Sequence, residues 1–230
     1  MKIAAVLSTK GGPGKTTVTA SLGAFCADSG LRTLLIDLDN QPSLSSFYAL
    51  THEAPGGAYE LIAINETRRD QIISQTCIPN LSLIHSNDPF NQLGTLLLHA
   101  AEGRLRLKNL ISTFEPDFDL VLVDTQGARS IILEMALLGA DMVIPPIERA
   151  VDRPKALRSD ILALVHDIAD ELAMPQYHFI QSDWGIGFVV VRPSDWDSDI
   201  FATPPTQITQ QAFTVLNLLD GIRSRTSFFV

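Results

Sequence analysis

Thr9-Lys10-Gly11-Gly12-Pro13-Gly14-Lys15-Thr16-Thr17 is the stretch whose reading decides the fold. On its N-terminal side, residues 3–7 (IAAVL) form a short continuous apolar run, the pattern of a strand buried on both faces. On its C-terminal side, residues 16–28 put Val18, Leu22 and Phe25/Cys26 on one helical face, and Gly30 follows as a stop. A glycine-rich turn between strand and helix is the context a phosphate-binding loop needs. Gly11, Gly12 and Gly14 let the backbone wrap an anion and aim N–H groups at it, and the helix N-terminus adds partial positive charge. In that setting Lys15 reaches the β and γ phosphates, the Thr16 hydroxyl binds Mg²⁺ and Thr17 touches the α phosphate. Pro13 lacks an N–H, which removes one phosphate donor, and its fixed φ can pre-form the loop instead. The expectation is weakened or unchanged anion binding, not its loss.

Further apolar runs lie at residues 33–38 (TLLIDL), 81–84 (LSLI), 120–123 (LVLV), 142–144 (MVI) and 186–191 (IGFVVV), and each reads as a buried strand. Continuous runs of this kind suit parallel strands covered on both faces. Helical patterns fall between them. Residues 104–114 carry Leu105, Leu107, Leu110 and Ile111. Residues 152–172 carry Leu157, Ile161, Leu164/Val165, Ile168 and Leu172 as one stripe, with Asp152 as N-cap and Pro154 in the first turn. Strand–helix alternation over most of the chain predicts an α/β fold, a doubly wound, mostly parallel sheet flanked by helices. There is no internal repeat, low-complexity tract or dividing linker, so residues 1–230 read as a single domain. Residues 192–205, rich in Pro, Asp, Ser and Thr, read as a loop.

Composition narrows the classes further. The chain has 230 residues, 46% of them hydrophobic and 19% charged, which excludes a largely disordered chain. Lys plus Arg number 17 against 26 Asp plus Glu, a formal net charge of −9, so the chain is not one built mainly to coat nucleic acid. A local basic patch remains compatible with that balance, because local field decides phosphate contact. No apolar run reaches the roughly 18 residues that span a bilayer. Residues 1–8 lack the apolar core and cleavage site of a secretory signal, so a cytoplasmic protein is expected. Cys26 and Cys77 are far apart with no CxxC, and the five histidines, His85 and His166 among them, show no metal-ligand spacing. Cys26 lies on the apolar face of the first helix and reads as a core residue.

The loop departs from the usual GxxxxGK[ST] pattern at its first position, where Thr9 stands, and carries a second lysine, Lys10. KGGxGKTT is the deviant Walker A motif, and the chain resembles the ParA/MinD family of ATPases, a deviant branch of the P-loop NTPases. The resemblance covers roughly residues 1–168 and thins beyond. It implies ATP and Mg²⁺ as cofactors, with slow, partner-stimulated hydrolysis to ADP and phosphate. It also implies a nucleotide-sandwich homodimer in which Lys10 reaches the phosphates bound by the other subunit. The nucleotide-binding set is then Lys10, Gly11, Gly12, Pro13, Gly14, Lys15, Thr16 and Thr17.

Residues 34–45 (LLIDLDNQPSLS) look like the family's DxDPQGxxS segment, with Gln41 matching and Asn40 and Pro42 shuffled. Period-two alternation sends the Asp37 and Asp39 side chains off one side of the strand end. On their own, two such carboxylates read better as turn and helix-cap residues. The resemblance implies that Asp39 positions the attacking water and that Asp37 supports the magnesium shell or the loop lysine. Lys10, Lys15 and Asp39 are thereby the catalytic candidates, and Thr16, Asp37 and Asp124 the metal candidates. Residues 120–127 (LVLVDTQG) end a buried strand in Asp124, a Walker B pattern in which the carboxylate accepts from magnesium-bound water and from Thr16. Much of the family has DxPP there. DTxG variants resemble partition ATPases of plasmids and integrating elements and the T-DNA-processing relatives of the Ti plasmid. Gln126 is a candidate sensor of the γ phosphate. Residues 142–147 (MVIPPI) match the family's next strand and its prolines.

The function this implies is partition. ATP drives dimerisation, the dimer binds DNA without sequence preference in association with the nucleoid, and a ParB-like, centromere-binding partner triggers hydrolysis. Plasmid or chromosomal DNA is the cargo. Candidate DNA contacts are Arg149, Arg153, Lys155, Arg158, Arg192, Arg223 and Arg225. An accessory ATPase of DNA transfer is an alternative. A MinD-like membrane switch is another, but it needs a C-terminal amphipathic helix. Residues 213–230 offer Leu216, Leu218, Leu219 and Ile222, interrupt them with Asp220 and Gly221, and carry no lysine, so a membrane partner is not expected. Absence of an NKxD motif agrees with adenine as the base. Against partition ATPases, residues 192–230 read as divergent or shortened.

Overall fold

The computed structural model describes residues 1–9, 14–88, 90–144, 146, 178–181 and 187–190. In chain order it runs β1 (Lys2–Val6), α1 (Lys15–Asp28), β2 (Thr33–Asp37), β3 (Leu50–His52), α2 (Ala58–Ile64), α3 (Arg69–Ile72), β4 (Ser74–Thr76) and β5 (Leu81–Ile84). It continues through α4 (Gln92–His99), α5 (Arg106–Ile111), β6 (Leu120–Asp124), α6 (Ile131–Gly139), β7 (Met142–Ile144), β8 (His178–Gln181) and β9 (Gly187–Val190). The strands form one sheet in the order β3-β4-β5-β2-β6-β1-β7-β9-β8. Its central five, β5, β2, β6, β1 and β7, are parallel. β3 and β4 extend one edge in antiparallel pairing, and β9 and β8 extend the other.

The apolar runs form central strands because both faces are covered. Ala5, Leu34, Ile36, Val121 and Val123 pack on one face with buried side chains of α2, α4, α5 and α6. Their alternates Ala4, Val6, Leu35 and Leu122 pack on the other with Leu22 and Cys26 of α1. Full burial of one such aliphatic side chain is worth about 1.5–3 kcal/mol, which gives the sheet a strongly specified register.

This two-sided winding positions the site. β1 is followed by α1 on one face, and its sheet neighbour β6 is followed by α6 on the opposite face. Adjacent strands whose connections leave to opposite faces open a crevice beyond their C-terminal ends, where ligands of open α/β sheets bind. The start of α1 and the end of β6 both border that crevice.

α1 ends as its sequence suggests. Gly30 has φ +89°, its N–H donates to the Ala27 carbonyl, and Leu31 N donates to Cys26 O at 3.1 Å, closing the helix with a paired terminal turn.

Two elements differ from their sequence reading. The expected helix 104–114 is α5 with a 3₁₀ turn on either side, Gly103–Leu105 and Ser112–Phe114, a common tightening at helix ends. Its buried stripe is Leu107, Ile111 and Phe114, whereas Leu105 is partly exposed. The run at 186–191 contains β9, but β9 pairs antiparallel with β7 and with β8. A continuous apolar run reports burial on two faces, not strand direction. The expected helix at 152–172, including its cap Asp152, and the C-terminal stretch 192–230 lie outside the described residues.

Candidate functional site

Gly14 stands at the mouth of the crevice with φ +79° and caps the first turn of α1. A side chain would be strained there, so glycine is what lets the chain turn from the loop into the helix. Val18 N donates to Gly14 O at 2.9 Å, and the Thr19 hydroxyl donates to Lys15 O at 3.0 Å, so the first turn is closed. Lys15 is buried, Thr16 half-buried and Thr17 exposed. Lys10, Gly11, Gly12 and Pro13 lie outside the described residues.

Parallel pairing brings the two strand-end aspartates side by side. Asp37 and Asp124 are register partners across β2 and β6, and Val6 is the partner of Asp124 on its other side. Both aspartates are fully buried. Asp124 Oδ2 accepts the Thr16 hydroxyl at 2.7 Å, which ties β6 to the first turn of α1. Asp124 Oδ1 is buried and has no hydrogen-bond partner among the described residues. Burial pushes the Asp124 carboxyl up to about 6; the Thr16 hydrogen bond and the Lys15 charge oppose the shift, and Asp39 adds to it.

Asp37 is used differently. One oxygen accepts from Asp39 N at 3.1 Å, and the other from Ser45 N at 2.8 Å and Ser45 Oγ at 2.7 Å. Burial still carries its carboxyl up to about 7, against the pull of those bonds and with some help from the Asp124 charge. The Asp37 side chain therefore serves as the fastener of the loop after β2. That loop is further held by Leu44, fully buried beneath α1, and by Tyr48, whose hydroxyl donates to Ala20 O at 2.6 Å. Asp39 sits half-buried in the loop, with Oδ1 accepting from Gln41 N at 3.0 Å. Gln126 is half-buried two residues beyond Asp124.

Lys15, Thr16, Asp37, Asp39 and Asp124 thus converge on one end of the sheet. The Lys15 charge acts on Asp124, and among the described residues one buried Asp124 oxygen lacks a donor. Hard oxygen groups of that kind suit a hydrated divalent cation, and Thr16 and Asp124 are the residues that would hold it. Arg149, Arg153, Lys155, Arg158, Arg192, Arg223 and Arg225 lie outside the described residues. Sequence reading missed Ser86. Its N–H donates to Ser45 Oγ at 2.8 Å and its hydroxyl donates to the Asp39 carbonyl. Contacts spanning more than forty residues leave no spacing signal in the sequence. Among the described residues no helix is long and apolar enough to cross a membrane.

A glycine-capped helix start at the switch point, with the Thr16–Asp124 hydroxyl–carboxylate pair beside it and the KGGxGKTT sequence leading into it, fits a P-loop nucleotide-site architecture. The family model AAA_31, described as an AAA domain, matches residues 1–172, and the chain belongs to that family, of ParA/MinD type. The sporulation initiation inhibitor protein Soj of Bacillus subtilis is 27% identical over 147 residues, 64% of this chain and 58% of that protein. The chromosome-partitioning ATPase Soj of Treponema pallidum is 29% identical over 60% of this chain and 54% of that protein. The chain spans about half the length of the curated relatives it matches. Cobyrinic acid a,c-diamide synthase of Mycobacterium smegmatis, solved with bound ADP and magnesium, superposes with TM-score 0.65 at 26% identity, covering 74% of this chain and 69% of that one. A plasmid partition protein of Borrelia burgdorferi gives TM-score 0.61 at 25% identity, covering 76% of this chain and 75% of that one.

Proposed function

We propose that the chain is a Mg²⁺-dependent ATPase of the partition type. The observation that carries the reading is the Thr16–Asp124 pair at 2.7 Å with its buried, unpartnered Asp124 oxygen at the mouth of the α1 crevice. Support comes from two relatives, one described as a chromosome-partitioning ATPase and one as a plasmid partition protein. In this reading the 9–17 loop takes the phosphates and Lys15 neutralises their charge. Bound Mg²⁺ would supply positive charge to offset the charge that develops on the phosphates. Thr16 and Asp124 hold its shell, Asp37 keeps the loop after β2 in place, and Asp39 orients the attacking water.

ATP binding then favours a homodimer in which Lys10 reaches the partner's nucleotide. The dimer binds DNA without sequence preference through some of Arg149, Arg153, Lys155, Arg158, Arg192, Arg223 and Arg225, in the cytoplasm and on the nucleoid. A ParB-like partner on plasmid or chromosomal cargo stimulates hydrolysis. With a net charge of −9 on each chain, DNA affinity is modest and falls steeply with salt.

The deciding experiment is binding to random-sequence duplex DNA at one low, stated salt concentration, with ATP, with ADP and with neither, beside Lys15→Ala. Binding with ATP alone, lost in Lys15→Ala, is the expected result. Equal binding in all three states refutes the nucleotide switch, and no binding in any state refutes the DNA-partition reading.

A further inference from the structure

We infer that Ser86 is a positioning residue for Asp39, a strut that fixes the carboxylate-bearing loop of β2 against the end of β5. Its effect on turnover rests on the ATPase reading above; its effect on the loop does not.

β2 and β5 are parallel neighbours whose last register pair is Ile36 with Ile84. The chains leaving them run side by side, and Ser86 meets the 39–45 loop at both of its ends. At the far end, Ser86 N–H donates to Ser45 Oγ at 2.8 Å, and Ser45 Oγ–H donates onward to Asp37 Oδ2 at 2.7 Å. At the near end, the Ser86 hydroxyl donates to the Asp39 carbonyl. That carbonyl fixes the peptide plane between Asp39 and Asn40. The Asp39 side chain is in turn set by the Gln41 N–H, one residue further on. Ser86 therefore acts on the carboxylate through the backbone that carries it.

The strut is itself anchored. Asn87 Oδ1 accepts from Tyr59 N at 2.8 Å, and Asn87 Nδ2 donates to Glu60 at 2.6 Å, at the start of α2. Asp88 accepts from Gln92 N and Leu93 N, both at 2.8 Å, at the start of α4. Ala58 N donates to His85 O at 2.9 Å, immediately before Ser86. His85, Asn87 and Asp88, which flank Ser86, are thus held by two helices, so the Ser86 hydroxyl sets the place of Asp39 instead of following it. The geometry predicts a residue that matters for turnover and not for phosphate binding, because the Ser86 bonds go to Asp39 and Ser45 and not to Lys15 or Thr16.

The test compares Ser86→Ala and Ser86→Thr with the full chain. Ser86→Ala keeps the N–H to Ser45 and removes the hydroxyl; Ser86→Thr keeps both. Without nucleotide, hydrogen exchange of peptides covering residues 38–46 should accelerate roughly tenfold in Ser86→Ala and return to within about twofold in Ser86→Thr, with α1 and β6 unchanged. With Mg-ATP, kcat should fall roughly tenfold in Ser86→Ala at a KM within about twofold of wild type, and Ser86→Thr should restore it. Unchanged exchange over 38–46 overturns the inference. So does acceleration spread over the whole sheet without rescue by threonine, since that marks lost stability alone. Should wild type release phosphate no faster than Lys15→Ala, the ATPase reading fails, and the exchange result still decides the strut.

Discussion

Asp124→Asn should make the magnesium-free, nucleotide-free protein more stable at about pH 8 and no more stable at about pH 4. The carboxyl is raised from 3.8 to about 6, chiefly by burial. Between those values the folded state holds a proton that the unfolded state has released, so stability falls as pH rises through this window and levels off above it. Ionised Asp124 then costs on the order of 3 kcal/mol. Asparagine keeps an acceptor for the Thr16 hydroxyl and removes the charge. Its amide group comes to rest where Oδ1 has no partner, which returns about 1–2 kcal/mol of the gain. The net is a stabilisation of about 1–2 kcal/mol near pH 8, or roughly 2–8 °C in Tm for a chain of this size.

Urea unfolding followed by circular dichroism, in chelator, at several pH values from about 4 to 8, reads this directly. The informative quantity is the difference between variant and wild type, because Asp37, pushed up to about 7, contributes its own slope to both proteins. Glu66 and Asp119, drawn down to about 2 by Arg68 and Arg32, add a slope only near the acid end, where their carboxyls take up protons in the unfolded chain, and that slope is common to both proteins and cancels in the difference. A difference that stays constant over the whole pH range, or an asparagine variant that is less stable at every pH, would refute the reasoning. Adding Mg-ATP should then reverse the order. Wild type gains stability by ligand linkage and the variant does not.

Asp39→Asn keeps an acceptor for Gln41 N, so the loop should persist while phosphate release drops at least ~100-fold and nucleotide binding survives; a phosphate-release assay beside a fluorescent-nucleotide titration checks both halves. Gly57→Ala would place a Cβ 2.2 Å from the His85 carbonyl oxygen. A loss of about 2–3 kcal/mol in chemical denaturation is expected, and a neutral variant would show that the α2 start can shift freely. Cys77 is exposed, whereas Cys26 is buried with its thiol pushed up to about 12. Maleimide should therefore label the native protein at Cys77 alone and reach Cys26 only in denaturant, as mass spectrometry would report.

The sequence was legible where burial is two-sided and where a motif is contiguous. Residues 81–84 and 142–144 are strands with the expected bounds, because a short, mostly apolar run suits a strand covered on both faces. The start of α1 was legible because glycine, lysine and threonine follow one another directly. α6 was not, because all but the first of its residues are buried, which leaves no stripe to read against solvent. β3 and β4 have three residues each and partly exposed side chains, too short for any periodicity. Ser86 carried no signal at all, since its two bonds reach back to Asp39 and Ser45.

Asp37 and Asp124 are equivalent by position, paired in register at the ends of neighbouring strands and buried alike. Their hydrogen bonds make them unequal. Asp37 accepts three donors from its own loop and has both oxygens engaged. Among the described residues Asp124 accepts one hydroxyl and its other oxygen has no hydrogen-bond partner. A buried acceptor without a donor is a standing cost that a fold retains where something else completes it. The division follows: Asp37 stabilises the loop that carries Asp39, and Asp124 is the carboxylate left open toward the crevice. The same strand register that makes the two aspartates look interchangeable in the sequence is what places them at different tasks.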